Sequence, residues 1–186
     1  MSIVPTELWY TDLVARVKKE HEGAFDRIGR PWYQHFERVA LRVIFRLPGA
    51  TKAQIQAALL HDALMAGGKG RPLLQELGVE PDAVRMIEVT TPPPHGDYFR
   101  ALEAITPADN EIYREYIEQL IATGDIEALH VKLADFQDTC DMLSEAQTPE
   151  LKAQLLDRYG PARDRLLSVL EKPAEARSPS RPIKAA

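Results

Sequence analysis

Thr51-Lys52-Ala53-Gln54-Ile55-Gln56-Ala57-Ala58-Leu59-Leu60-His61-Asp62-Ala63-Leu64-Met65 is the stretch whose reading decides the fold. It opens on a helix cap. The Thr51 hydroxyl can accept from the backbone of Gln54, and the Gln54 side chain can reach back, which is the reciprocal capping box. Nothing in it alternates as a half-buried strand would. The helix is predicted to run to about Met65, where Gly67-Gly68-Lys69-Gly70 breaks it. A histidine and a carboxylate therefore stand inside an apolar helical frame, where a charge is costly without a partner.

Helical periodicity continues on both sides. Upstream, Glu7 to Glu22 carries Leu8, Leu13, Val14 and Val17 on one side. Trp32 to Leu47 carries Phe36, Val39, Ala40, Val43, Ile44 and Leu47, and Pro48-Gly49 stops it. Downstream, short helices are predicted from Pro72 to Leu77 and from Pro81 to Val89, followed by the loop Thr90-Thr91-Pro92-Pro93-Pro94-His95-Gly96. Further helices are predicted from Tyr98 to Ile105, Asn110 to Ala122 and Asp125 to Ser144. A last one, capped by Thr148, ends near Leu170. The sum is an all-α bundle of seven or more helices, with no solenoid-type repeat and no internal linker before residue 171.

Composition narrows the function classes. The chain has 186 residues, 45% hydrophobic and 27% charged, with a net charge of −5. That is an ordinary globular balance, and it disfavours a strongly basic nucleic-acid module. No run reaches the roughly 18 apolar residues of a membrane span, so no membrane partner is expected. Met1-Ser2-Ile3-Val4-Pro5 lacks the pattern of a secretory leader. Cys140 is the single cysteine and can form no internal disulfide; a reducing, cytoplasmic setting is expected. Residues 172–186 hold Lys172, Arg177, Arg181 and Lys184 against Glu175, leaving this tail at +3 and the body at −8. With Pro173, Pro179 and Pro182 and little to bury, the tail is predicted to be flexible. The domain proper is predicted to span 1–171.

Four residues then stand out: His35, the pair His61-Asp62, and Asp135, each on a predicted helix among apolar neighbours. Two imidazoles and two carboxylates suit a divalent transition metal such as manganese, iron(II) or zinc. Such an ion can activate water and neutralise charge on a phosphate. Asp138, three residues after Asp135, falls on nearly the same helical face and is a candidate acid or base. His95 sits in a proline-rich loop able to fold over a site, with a solvated loop histidine as the plainer reading. Gly67-Gly68-Lys69-Gly70-Arg71 lacks the Walker spacing and reads as a loop.

The order His35…His61-Asp62…Asp135 resembles the H…HD…D pattern of the HD-domain metal-dependent phosphohydrolases. The surrounding words narrow the likeness. Asp26-Arg27-Ile28-Gly29-Arg30-Pro31-Trp32-Tyr33-Gln34-His35 followed by Arg38-Val39-Ala40, then Ala57-Ala58-Leu59-Leu60-His61-Asp62 and Val131-Lys132-Leu133-Ala134-Asp135, are similar to motifs of the alarmone-hydrolase branch, the Rel/SpoT-like proteins. The resemblance implies an all-α HD-domain fold and one divalent metal, usually manganese, held by His35, His61, Asp62 and Asp135. It also implies hydrolysis of the 3′-pyrophosphate of (p)ppGpp, with Arg27 near the nucleotide and Lys132 steering phosphate.

Three departures accompany the match. The branch places Glu-Asp two residues after its His-Asp pair, where this chain has Met65 and Ala66, neither able to take a proton. An arginine that packs on the guanine in many members corresponds to Asp26. After Asp135 the chain reads Phe136-Gln137-Asp138-Thr139 rather than the usual Arg or Leu and Asn. Two functions follow as alternatives: a metal-dependent phosphohydrolase acting on a nucleotide, or a non-catalytic HD module that keeps metal and nucleotide without turnover.

Overall fold

The computed structural model describes residues 7–26, 28–65, 70–92, 106–145 and 148–171. They form eight α-helices: α1 (Leu8–Glu20), α2 (Tyr33–Arg46), α3 (Lys52–Leu60), α4 (Gly70–Glu76), α5 (Pro81–Thr90), α6 (Pro107–Ala122), α7 (Ile126–Met142) and α8 (Pro149–Leu170). Among the described residues the one strand-like feature is an isolated antiparallel bridge between Phe25 and Pro31. The all-α architecture is thus the one the periodicity predicts. The predicted helix Tyr98–Ile105 and the tail 172–186 lie outside the described residues, as do Arg27, Ala66 and His95.

Local chemistry sets most helix ends. At the start of α3, the Gln54 amide donates to Thr51 Oγ1 at 3.2 Å and the Thr51 amide donates to Gln54 Oε1 at 2.8 Å, completing the capping box. Asp125 is the N-cap of α7, accepting from the Ala128 amide at 3.1 Å, and Thr148 caps α8 by accepting from Leu151 at 3.1 Å. Helix α6 begins earlier than predicted, because Thr106 and Asp109 form a second capping box and Pro107 fills the first turn. Proline suits that turn because its missing N–H has no helical partner there.

One boundary differs in a way that matters. Helix α3 stops at Leu60 rather than continuing to Met65. The next amides turn back over shorter spans, Ala63 to the Leu60 carbonyl at 2.8 Å and Met65 to the Asp62 carbonyl at 3.0 Å. The Gly70 amide then closes on the Ala63 carbonyl at 3.1 Å. His61 and Asp62 consequently sit in a tight turn at the mouth of α3, not within a helix.

Burial divides into two apolar clusters. The first gathers Leu13 and Val17 of α1, Phe36, Val39 and Val43 of α2, nearly all of α3, and Met86 and Ile87 of α5. The second gathers Tyr113, Tyr116 and Ile117 of α6 with Ala162, Leu166 and Leu170 of α8. Helix α7 belongs to both. Ala128, Val131 and Ala134 face the first cluster, while Leu129, Leu133 and Phe136 face the second. The three-to-four-residue spacing of each set is that of a single helical stripe. Between these two stripes run Lys132, Asp135 and Asp138, all buried.

Candidate metal centre and its cavity

Three elements converge on one point. Helix α2 supplies His35, the turn after α3 supplies His61 and Asp62, and the polar stripe of α7 supplies Asp135. Nε2 of His35 lies 3.2 Å from Oδ1 of Asp135. Nε2 of His61 lies 3.6 Å from Oδ1 of Asp62 and 3.8 Å from Oδ1 of Asp135. One ligand atom from each of His35, His61 and Asp135 falls within 4.8 Å of the others. The structure thus brings together the two histidines and two carboxylates singled out in the sequence.

The donor atoms of this cluster suit a cation. His61 is 3% exposed, and its Nδ1 is 2.9 Å from the Ala58 carbonyl. A carbonyl can only accept, so Nδ1 carries a proton, and in the neutral imidazole Nε2 keeps its lone pair. That Nε2 is buried with no hydrogen-bond partner, and it faces two carboxylate oxygens. A buried polar atom without a partner costs free energy, and a divalent ion between the imidazoles and carboxylates would satisfy it.

Asp138 occupies a different position from Asp135. It is fully buried, and its oxygens accept from Arg38 Nε at 2.8 Å, Arg38 Nη2 at 2.9 Å and Arg42 Nε at 3.3 Å. His35 Nδ1 is 2.8 Å from Oδ2 of the same carboxylate. The carboxylate grips the far side of the His35 ring and turns its Nε2 toward Asp135. Sequence reasoning placed Asp138 near the site but missed Arg38 and Arg42 as its partners. Their spacing from His35, three and seven residues along α2, was the available signal, since those positions share a helical face.

Lys132 bonds Oδ2 of Asp135 at 2.8 Å, and its ammonium lies 5.1 Å from the Phe136 ring centroid and 5.9 Å from that of Tyr116. Its charge is therefore held beside the ligand carboxylate rather than in solvent.

The ionisation states follow from these contacts. Burial alone would raise the pKa of Asp135, but the neighbouring Lys132, His61 and His35 outweigh it and hold the carboxyl well below its ordinary range. Burial likewise opposes charge on Lys132, and Asp135 reverses the effect, lifting the ammonium well above its usual value. Burial also disfavours protonated His35, yet hydrogen bonds to Asp135 and Asp138 raise it to about 9. Asp138 is lowered in spite of its burial, by His35 and Arg38. In the absence of a cation, the cluster balances its own charges.

A cavity of about 790 Å³ opens onto this cluster. His35, Asp62, Lys132 and Asp135 line its polar end, and Phe25, Ile28, Trp32, Met65, Leu143 and Leu155 are among its apolar lining. Asp26 also lines it, but one of its carboxylate oxygens accepts from the amides of Ile28 at 3.0 Å and Arg30 at 2.9 Å. That side chain organises the loop between α1 and α2. Arg27 and His95, the other candidate substrate contacts, fall outside the described residues.

The sequence matches no family model and no curated protein. Among solved structures it is similar to a metazoan ortholog of SpoT that hydrolyzes ppGpp and plays a role in starvation responses. The TM-score is 0.60 over 89% of this chain and 97% of that one, at 15% sequence identity. The chain therefore shares its fold with that protein. Among the described residues no helix is long and apolar enough to cross a membrane.

Proposed function

We propose that the protein is a metal-dependent phosphohydrolase acting on a nucleotide. The observation that carries this reading is the bare, buried Nε2 of His61 facing Asp62 and Asp135 beside His35. His35, His61, Asp62 and Asp135 would hold one divalent cation, with manganese the first choice and iron(II) or zinc the alternatives. When bound, such an ion supplies an activated water and neutralises charge on a phosphate.

The chain's own residues do the remaining work. The Ala58 carbonyl keeps the His61 proton on Nδ1, and Asp138 holds the other face of His35. Partners of this kind fix the tautomer and orientation of a ligating imidazole. Lys132, at the polar end of the cavity, places a positive charge where a phosphate oxygen would approach. Asp138 is already taken up by two arginines and a histidine, so its role is to position His35 rather than to take a proton. Arg27 and His95 remain the proposed substrate contacts from the sequence.

The likeness of fold puts ppGpp, cleaved at its 3′-pyrophosphate, on the substrate panel, and nucleoside mono- and triphosphates need the same chemistry. A second reading rests on Met65. It lines the cavity and cannot accept a proton, so the site could bind metal and nucleotide without turnover.

One experiment separates the two readings. Metal content is measured on untagged protein, and release of phosphate or pyrophosphate is followed over a nucleotide panel with manganese, for wild type, His61→Ala and the double variant Met65→Glu/Ala66→Asp. Turnover by wild type that is lost in His61→Ala supports the hydrolase. One metal per chain with turnover only in the double variant supports the binding module. Absence of metal under every condition removes both.

A further inference from the structure

Among the described residues, the cavity at the candidate metal cluster is lined by more carboxylates than cations. Five carboxylates line it, from Glu20, Asp26, Asp62, Asp135 and Asp138. Among the described residues the permanent cations in the lining are Arg38 and Lys132. Each is already committed, Arg38 to Asp138 at 2.8 Å and Lys132 to Asp135 at 2.8 Å. Even with a divalent ion added, the described part of the lining stays net negative. A phosphate monoester brings a charge of about −1.5 to −2, whereas a nucleotide bearing two pyrophosphate groups brings more than twice that.

The rest of the lining is largely apolar and includes the exposed rings of Phe25 and Trp32. Trp32 and Phe36 lie nearly parallel, 13° apart with ring centroids separated by 6.3 Å, and both border the cavity. Phe25, on the hairpin closed by the Phe25–Pro31 bridge, also lines it while remaining 62% exposed. The Asp26 hydrogen bonds to Ile28 and Arg30 hold that hairpin in shape. Single exposed aromatics are common on protein surfaces. This one shares a cavity wall with Trp32, at 38% exposure, and opens onto a metal-type cluster.

From these two observations we infer that the cavity takes a phosphate monoester with an aromatic body, its phosphate at the cluster beside Lys132 and its ring against Phe25 and Trp32, in preference to a polyphosphorylated nucleotide. This rests on the phosphohydrolase reading and narrows its substrate class.

The test uses the full chain loaded with manganese and three probes: guanosine 5′-monophosphate, ppGpp and glycerol phosphate. The first two share a base and differ in charge; the first and third share a phosphomonoester and differ in the aromatic body. Phosphate release from the two monoesters, and loss of ppGpp with release of pyrophosphate, are followed side by side, and kcat/KM for the guanosine monophosphate is expected to be roughly tenfold or more above that for ppGpp, the scale on which a cleft's field acts. Phe25→Ala is expected to raise KM for the guanosine monophosphate by roughly tenfold, the usual scale of losing a ring-stacking partner, and to leave KM for glycerol phosphate nearly where it was. Preference for ppGpp overturns the inference and leaves the phosphohydrolase reading standing. An equal effect of Phe25→Ala on both monoesters overturns the assignment of the aromatic wall.

If none of the three probes is turned over, binding decides the inference, and the wider nucleotide panel decides the phosphohydrolase reading. Tryptophan fluorescence reports occupancy of the cavity through Trp32. Tighter binding of the guanosine monophosphate than of ppGpp, weakened in Phe25→Ala, upholds the charge and stacking argument for a binding module. Tighter binding of ppGpp ends it.

Discussion

The two apolar clusters on either side of α7 are made from different materials. The first includes eight buried alanines, at positions 40, 53, 57, 58, 63, 83, 128 and 134. The second includes one, Ala162, and is filled instead by Tyr113, Tyr116 and Phe136 with leucines and an isoleucine. Small side chains let helix axes approach closely, while large rings hold them apart and fill the space between. The metal-type ligands His35 and His61 come from the alanine-rich side. The aromatic side supplies the wall behind Lys132 and keeps its ammonium against two rings. The difference suggests a division of labour: the tight cluster fixes the distances between ligands, and the aromatic cluster supplies stability.

Substitutions can break that comparison, and the largest effect belongs to the aromatic side. Leu166 is fully buried in α8, and Leu166→Ala is expected to cost about 2–5 kcal/mol by chemical denaturation. Metal stoichiometry of the folded fraction should stay at the wild-type value. Loss of metal in that variant would show that the two clusters are not separable.

Manganese itself gives the next effect. At about 100 times its dissociation constant, a ligand of the native state adds about 2.7 kcal/mol. Chelation should therefore lower Tm in wild type and leave it unmoved in His61→Ala.

Overfilling the tight side is the complementary experiment. Ala58 is fully buried and its carbonyl holds His61. Ala58→Leu is expected to cost about 1–3 kcal/mol, less than Leu166→Ala, yet to weaken manganese binding more than any change in the aromatic cluster. Equal metal affinity in the two variants would contradict the division of labour.

Asp138→Asn sharpens the same point without changing volume. The amide is isosteric but cannot offer two anionic oxygens to Arg38 and His35. Manganese affinity is expected to fall about 10- to 100-fold, the range for outer-sphere partners of metal ligands, as read by competition with a fluorescent chelator. Unchanged affinity would mean that His35 is held by packing alone.

The smallest effect is a matched control. Thr51→Ala and Thr106→Ala each remove a capping box, one opening α3 and one opening α6, and each should cost about 1 kcal/mol. Caps act locally, so the two losses should agree; a clear excess at Thr51 would show that the tight cluster transmits strain further.

Much of this arrangement was readable from residue order, because it depends on local rules. The Thr51-Gln54 capping box, the Thr148 cap and the apolar stripe of α2 involve residues three or four apart, and the helices appear where those signals place them. The candidate ligands were legible because charge inside an apolar frame is anomalous wherever it occurs. The misses are of another kind. The early end of α3 is followed by a turn in which Gly70, seven residues after Ala63, returns its amide to the Ala63 carbonyl, which periodicity in a short window cannot show. The early start of α6 rests on Thr106 and Asp109 capping each other, and Thr106 directly follows the helix predicted to end at Ile105, where a second helix start is hard to read. The role of Asp138 depends on Arg38 and Arg42, nearly a hundred residues away, and no local rule pairs them.

That long pairing has a consequence for how the protein is made. His35 and Asp138 are 103 positions apart, and the intervening chain must be made before they meet. Joining distant points on a chain costs entropy that grows only slowly with their separation, but it cannot be done before both points exist. A nascent chain shows both histidines to the solvent long before α7 has left the ribosome, and during that interval it has neither Asp135 to complete the cluster nor Asp138 to aim His35. Capture of an ion at the proposed centre would thus be a test of completeness, passed only once α7 has docked on α2 and on the turn after α3.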